Sequence, residues 1–247
     1  MIPELGLIVI VAAAGIVNGW TSLGFAMIAA AGFALAIDPK TAVLLLAVTT
    51  PFISSVQILN HRRHAPGWRR LVPLGVGCFV GVPIGAVLLG ILEKDTVALL
   101  IGLLALFFVV SSLAGRGPRV PPSWEPVAGP LAGVAAGVAN GTVGVSGPVL
   151  GSYLLAIGTS PAAFGFSVSI LFFSMGLVRI ASLAALHQLT LTLVGTGALL
   201  LIPGLIGQQV GLRLHRLVAP ARARQGALVV IGIAGISLVA RGLNLLS

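Results

Sequence analysis

Ten apolar stretches run along this chain, separated by short polar or Pro/Gly-rich interruptions. Segment A covers about residues 4–17 and segment B about 23–37, with Asn18-Gly19-Trp20-Thr21-Ser22 between them. As helices each would be about 21–24 Å long, short of the roughly 30 Å hydrocarbon core. Two readings follow: a re-entrant hairpin, or two shortened spans. Asp38-Pro39 then predicts a helix cap with proline at the first helical position. Segment C runs from Pro39 to about Asn60, with Thr50, Ser54 and Gln57 on one face. Segments D (about 71–92) and E (about 96–114) complete the first half.

The second half repeats this plan. Segments F (about 127–139) and G (about 147–158) flank Asn140-Gly141-Thr142-Val143-Gly144-Val145-Ser146-Gly147-Pro148. Ser160-Pro161 then opens segment H, which extends to about Ala185, and segments I (about 190–212) and J follow. An offset of 122 positions carries Gly15, Asn18 and Gly19 onto Gly137, Asn140 and Gly141, and Asp38-Pro39 onto Ser160-Pro161. Each half holds a short helical hairpin plus three spans, so its net crossings are odd and the halves are inverted. The expected organisation is residues 1–115 as a first transmembrane repeat, 116–126 as a cytoplasmic linker and 127–247 as a second repeat. The expected fold is an all-α polytopic membrane protein with two inverted-topology repeats.

Composition supports the membrane reading. Of 247 residues, 57% are hydrophobic and 8% charged, too few charges to cover a soluble domain. No strand-length alternation suggests a β-barrel. The net charge of +9 would point to nucleic acid in a soluble chain, but here the basic residues lie in short loops. Placing Arg62, Arg63, Arg69 and Arg70 in the cytoplasm also puts Arg116, Arg119, Arg213, Arg216, Arg222 and Arg224 there. These four plus six make ten of the fourteen basic residues, which predicts a multi-pass inner-membrane protein with both termini outside. The N-terminus lacks a basic region before its apolar run, and residues 4–17 have a repeat partner at 126–139, so they belong to the fold. Cys78 lies in an apolar run and reads as a small core residue.

Arg179 is the foremost candidate for chemistry. It lies within segment H with no acidic residue at helical spacing, and charge inside a span marks function by default. The structural alternative is snorkelling to the outer interface or bonding to loop carbonyls. Its repeat counterpart is Gln57, and an axis relating the halves would bring both to one central cavity. The two interruptions supply Asn18, Gly19, Thr21, Ser22, Asn140, Gly141, Thr142, Ser146 and Gly147, with Tyr153 just beyond. Unpaired polar groups are costly in hydrocarbon, and the helices starting after each interruption present N–H groups and positive dipole ends that suit an anion. A structural turn held by asparagine is the alternative. His61 and His64 lack further ligands, so no metal is expected, nor any cofactor. No nucleophile–base pair or nucleotide loop is legible, so an enzyme is not expected. The five acidic residues lie at segment ends or in loops, which favours an uncoupled or weakly coupled anion path, although backbone carbonyls can suffice for sodium.

The second half carries Gly137-x3-Gly141-x2-Gly144-x-Ser146-Gly147-Pro148-x4-Tyr153, then Ser160-Pro161, Arg179 and Pro203-x3-Gly207-x3-Gly211. In these residues the chain resembles the TauE/SafE (TSUP) family of sulfite and organosulfonate exporters. The resemblance implies export of sulfite, thiosulfate or small sulfonates such as sulfoacetate. At the first interruption Trp20, Thr21, Ser22 and Leu23 stand where the family more often has glycine, and Trp20 would narrow the pocket. The expected partners are a small anionic substrate and the bilayer, with a homodimer allowed for and no nucleic acid. A passive anion channel and a non-transporting membrane subunit or scaffold are the rival readings.

Overall fold

The computed structural model describes residues 2–21, 24–64, 68–114, 119–214 and 220–243. Among these residues the regular structure is helical: α1 (Ile2–Thr21), α2 (Phe25–Ala36), α3 (Pro39–His61), α4 (Trp68–Ile91), α5 (Lys94–Ala114), α6 (Glu125–Val143), α7 (Gly147–Ala156), α8 (Pro161–Ala185), α9 (Leu191–Leu214) and α10 (Pro220–Gly242). Six of them, α3, α4, α5, α8, α9 and α10, are long and apolar enough to cross a bilayer, three in each half. The protein is an all-α polytopic membrane protein, as the apolar periodicity requires. The predicted caps are present: the Asp38 side chain accepts from Thr41 N at 3.0 Å, and the Ser160 hydroxyl from Ala163 N at 3.3 Å. Each cap satisfies an N–H that has no acceptor within its own helix.

The hairpins depart from expectation. α1 continues through Asn18 and Gly19 to Thr21, and α6 continues through Asn140, Gly141 and Thr142 to Val143. Each first arm is therefore close to 30 Å long at 1.5 Å per residue, and the second arms α2 and α7 are short. α6 ends at Gly144 (φ 79°) and Gly24 (φ 119°) immediately precedes α2; at both a left-handed backbone excludes most side chains. Asparagine and glycine do not break a helix whose carbonyls are otherwise paired; the positive-φ glycine does. Two smaller differences occur at segment ends. Lys94 and Asp95, expected in a turn, begin α5, and Arg213, expected in a loop, lies in the last turn of α9.

Close backbone approach organises the bundle. α1 packs against α9 and α6 against α4, each pair drawn from different halves. Any Cβ at Gly77, Gly81 or Gly85 of α4 would collide with the main chain of α6, at Pro130, Val134 and Val138 in turn. Likewise Gly15 and Gly19 of α1 abut the α9 main chain at Gly204 and Gln208. Both pairs therefore run parallel, and small residues at these sites let the backbones touch. Along α3 and α8 the order is reversed: Val43 meets Arg179, Pro51 meets Gly176, and His61 meets Gly165. α5 and α10 are also antiparallel, Gly102 facing Gly235 and Leu99 facing Gly242. Lys40 bonds to the Gly90 carbonyl and Arg241 to the Ala34 carbonyl, grouping those helix ends on one side. The ion pair of Arg70 with Glu125 (2.6 Å) joins the starts of α4 and α6 on the other.

Gly141→Leu forces a branched side chain into the α4 main chain. Overpacking of this kind costs about 1–3 kcal/mol. The melting temperature in detergent falls well below wild type, whereas Gly195→Leu, at a position with no neighbour within 4 Å, leaves it unchanged.

Candidate functional site

Arg179 lies six residues before the end of α8 and is only 1% exposed, so it does not snorkel to an interface. Among the described residues it is the charged side chain that the interior buries. Nη2 donates to the Val43 carbonyl of α3 at 2.9 Å, and Nε has no partner. Among the described side chains no carboxylate offsets the charge: Asp38 and Glu93 are exposed, and Asp95 and Glu125 are half-buried at helix starts. The turn between α6 and α7 makes room for the guanidinium. A Cβ at Gly144 would sit 2.9 Å from Nη1, 3.2 Å from Nη2 and 3.4 Å from Cζ. Gly144 thus serves two needs, the left-handed bend and the seat of the guanidinium.

The same turn gathers Asn140 and Ser146. Asn140 Nδ2 donates to Ser146 Oγ at 3.3 Å across the bend, and Asn140 Oδ1 is buried without a partner. Ser146 occupies the cap position of α7 but makes no side-chain cap bond, and Gly147 opens the helix with Pro148 behind it. Early N–H groups of α7 therefore have no acceptor in their own helix. Thr142 and Gly141 serve packing: Thr142 Oγ1 donates to the Gly85 carbonyl at 3.2 Å, and Gly141 abuts Val82 of α4. Tyr153 does not reach this turn. It lies seven residues along α7, about 10 Å by helical rise, where its hydroxyl neighbours Gly129.

Gln57 and Arg179 do not meet. Gln57 Nε2 donates to the Asn18 carbonyl at 2.8 Å, whereas Arg179 bonds to Val43, fourteen residues earlier on α3. That separation is about 21 Å along the helix axis. Asn18 and Asn140 thus lie toward opposite ends of the α3–α8 pair rather than meeting at the midplane. The antiparallel arrangement is the cause, since repeat-equivalent positions on two antiparallel helices coincide only near their crossing. Gly19 packs against α9; the Thr21 side chain and Ser22 lie outside the described residues.

The predicted stripe on α3 is buried throughout. Ser54 returns its hydroxyl to the Thr50 carbonyl at 2.9 Å, while Thr50 Oγ1 and Gln57 Oε1 are buried with no partner. Thr50 lies between Val43 and Gln57 along α3, next to the Pro51–Gly176 contact. Sequence reasoning passed over Gln208. Its Nε2 donates to the Ile53 carbonyl at 3.1 Å and its Oε1 is buried and unpaired. Two adjacent glutamines in an apolar helix were the available signal, but helical register alone does not say that Gln208 is inside and Gln209 exposed.

A family model for the sulfite exporter TauE/SafE matches residues 7–238, nearly the whole chain. The chain belongs to the TauE/SafE family. No curated protein and no solved structure gives a significant match. As a member of a sulfite exporter family, this TauE/SafE protein is a membrane transporter of sulfur anions. The matched span contains both glycine turns and the buried arginine.

Gly144→Ala tests how this turn is built. Gly158 is also left-handed (φ 72°) but has no neighbour within 4 Å, so Gly158→Ala costs only the backbone term, roughly 1–2 kcal/mol. Gly144→Ala adds a collision with the guanidinium, and its melting temperature falls further below wild type than that of Gly158→Ala.

Proposed function

We propose that this protein exports a small sulfur oxyanion or sulfonate across the bacterial inner membrane, with sulfite, thiosulfate and sulfoacetate as the substrate candidates. Arg179 is the residue that binds the negative charge. The observation that carries this reading is a fully buried guanidinium with an unpaired Nε and no carboxylate among the described side chains, seated on the turn from which α7 starts. A charge left in the interior without a counter-ion is costly, and a transient anion relieves that cost on each passage. Sulfonate and sulfite oxygens suit the planar fork of donors that arginine offers. Ser146 and the first N–H groups of α7 complete the coordination in this reading, and the positive end of the α7 dipole adds to the field.

The unpaired groups extend beyond Arg179. Thr50 Oγ1, a hydroxyl able to donate, is buried without a partner on α3 beside its contact with α8, and the Gln208 and Gln57 amides meet α3 farther along, at Ile53 and at Gln57 itself. They mark the route in this proposal, from the Gln57 end, facing the cytoplasm, to the Arg179 end, facing outward. The same proposal takes residues 1–115 and 127–247 as inverted repeats about a 116–126 linker. Antiparallel packing of the equivalent helices α3 and α8, and of α5 and α10, supports it. A membrane potential negative inside favours outward anion movement by about 2.3 kcal/mol per charge per 100 mV.

Purified protein in liposomes, loaded with sulfite, thiosulfate or sulfoacetate, tests the proposal. Wild type releases at least one of these anions, and Arg179→Ala lowers the rate by roughly tenfold or more, the loss of about 1.4 kcal/mol of interaction. Arg179→Lys keeps the charge but not the fork and restores little. Equal rates in wild type and Arg179→Ala would remove Arg179 from the mechanism.

A further inference from the structure

Gln57 stands at the position in the first half that Arg179 holds in the second. Where one half fixes a guanidinium, the other places neutral amides. Gln57 and Gln208 are 1% and 0% exposed, and each amide N–H₂ is committed to a main-chain carbonyl, Asn18 O and Ile53 O respectively. These bonds fix the amide orientation: a flip would turn each Oε1 onto another carbonyl oxygen. Both oxygens are therefore left buried with no donor. Ile53 lies one turn before Gln57 on α3, and Gly19 of α1 packs directly on Gln208 of α9, so the two amides occupy one junction of α1, α3 and α9. α1 ends at this junction, and the C-terminal end of a helix presents free carbonyls and a negative dipole.

Buried acceptors in excess, at the negative end of a helix, call for a cation. The described junction holds no carboxylate to store a proton on, and neutral oxygens do not offset a divalent charge. A small monovalent ion fits: amide and main-chain carbonyls at the ends of interrupted helices bind sodium without a carboxylate. We propose that the α1–α3–α9 junction is a sodium-ion site, with Gln57 Oε1 and Gln208 Oε1 as ligands. Trp20 Nε1, two residues beyond Asn18 on α1, is a buried donor without a partner. A cation leaves it unsatisfied, whereas an anion oxygen drawn to the sodium accepts from it. Resting on the transport reading above, sodium here gives the inner end of the route the positive charge that Arg179 gives the outer end. The uncoupled path favoured by the lack of buried acids then becomes a sodium-dependent one.

The test is thermal unfolding of purified protein in chloride salts of sodium, potassium and N-methyl-D-glucamine at equal ionic strength. A ligand that binds only the folded state raises its stability. Wild type shows a saturable rise in melting temperature with sodium alone. Gln57→Leu and Gln208→Leu lose that rise, whereas Arg179→Gln keeps it while losing stabilisation by sulfite or thiosulfate, so the two sites fail separately. Gln208→Glu adds a negative charge and lowers the half-saturating sodium concentration by roughly tenfold. It keeps the site testable should the leucine variants not fold. Equal melting of wild type in sodium and potassium, or an unchanged sodium response in Gln208→Glu, overturns the proposal.

Discussion

A guanidinium in the apolar interior, held by a main-chain carbonyl and by no carboxylate among the described side chains, is the constraint on which this molecule turns. Burying such a charge disfavours the fold unless the surroundings offer dipoles or a ligand. Each nearby feature answers to it. Gly144 has no side chain where the guanidinium lies, α3 offers a carbonyl, and α7 starts close by without a side-chain cap. A fully satisfied arginine would be a structural pin. Its Nε is unpaired, and the proposal above rests on that atom.

The bundle that holds this site depends on backbones in contact. Glycines along α4, and small residues on α1, α6 and α9, let parallel helices from different halves approach until main chains touch. Lipid gives little hydrophobic drive for helix association, so such contact and interhelical bonds such as Thr142 to Gly85 must supply it. Each half embraces the first helix of the other, and the hairpins are fixed by these contacts rather than by their own turns. That is also why the turns sit near opposite ends of the α3–α8 pair. Long first arms carry each turn far from its point of entry.

Helices of the two halves pack antiparallel, α3 on α8 and α5 on α10. Arg179 and Gln57 occupy equivalent places, one a fixed cation and the other an amide with a spare acceptor. In the reading proposed above, this difference gives the route two ends of opposite demand, an anion at one and a cation at the other.

The apolar stretches, their lengths and their caps determined the helices, because burial in lipid leaves helix as the way to pair every backbone group. The buried polar stripe on α3, the foremost place of Arg179 and the family were also legible in the residues. Tertiary structure decided three things that periodicity does not encode. Asn18 and Asn140 stay helical, since positive-φ glycines beyond them do the turning. Gln208 faces inward and Tyr153 faces Gly129, since a helix of nearly uniform hydrophobicity carries no signal for its own rotation. Arg179 and Gln57 stand apart, since sequence offset gives equivalence between repeats but not distance. Only the antiparallel packing of α3 on α8 sets how far apart equivalent residues lie.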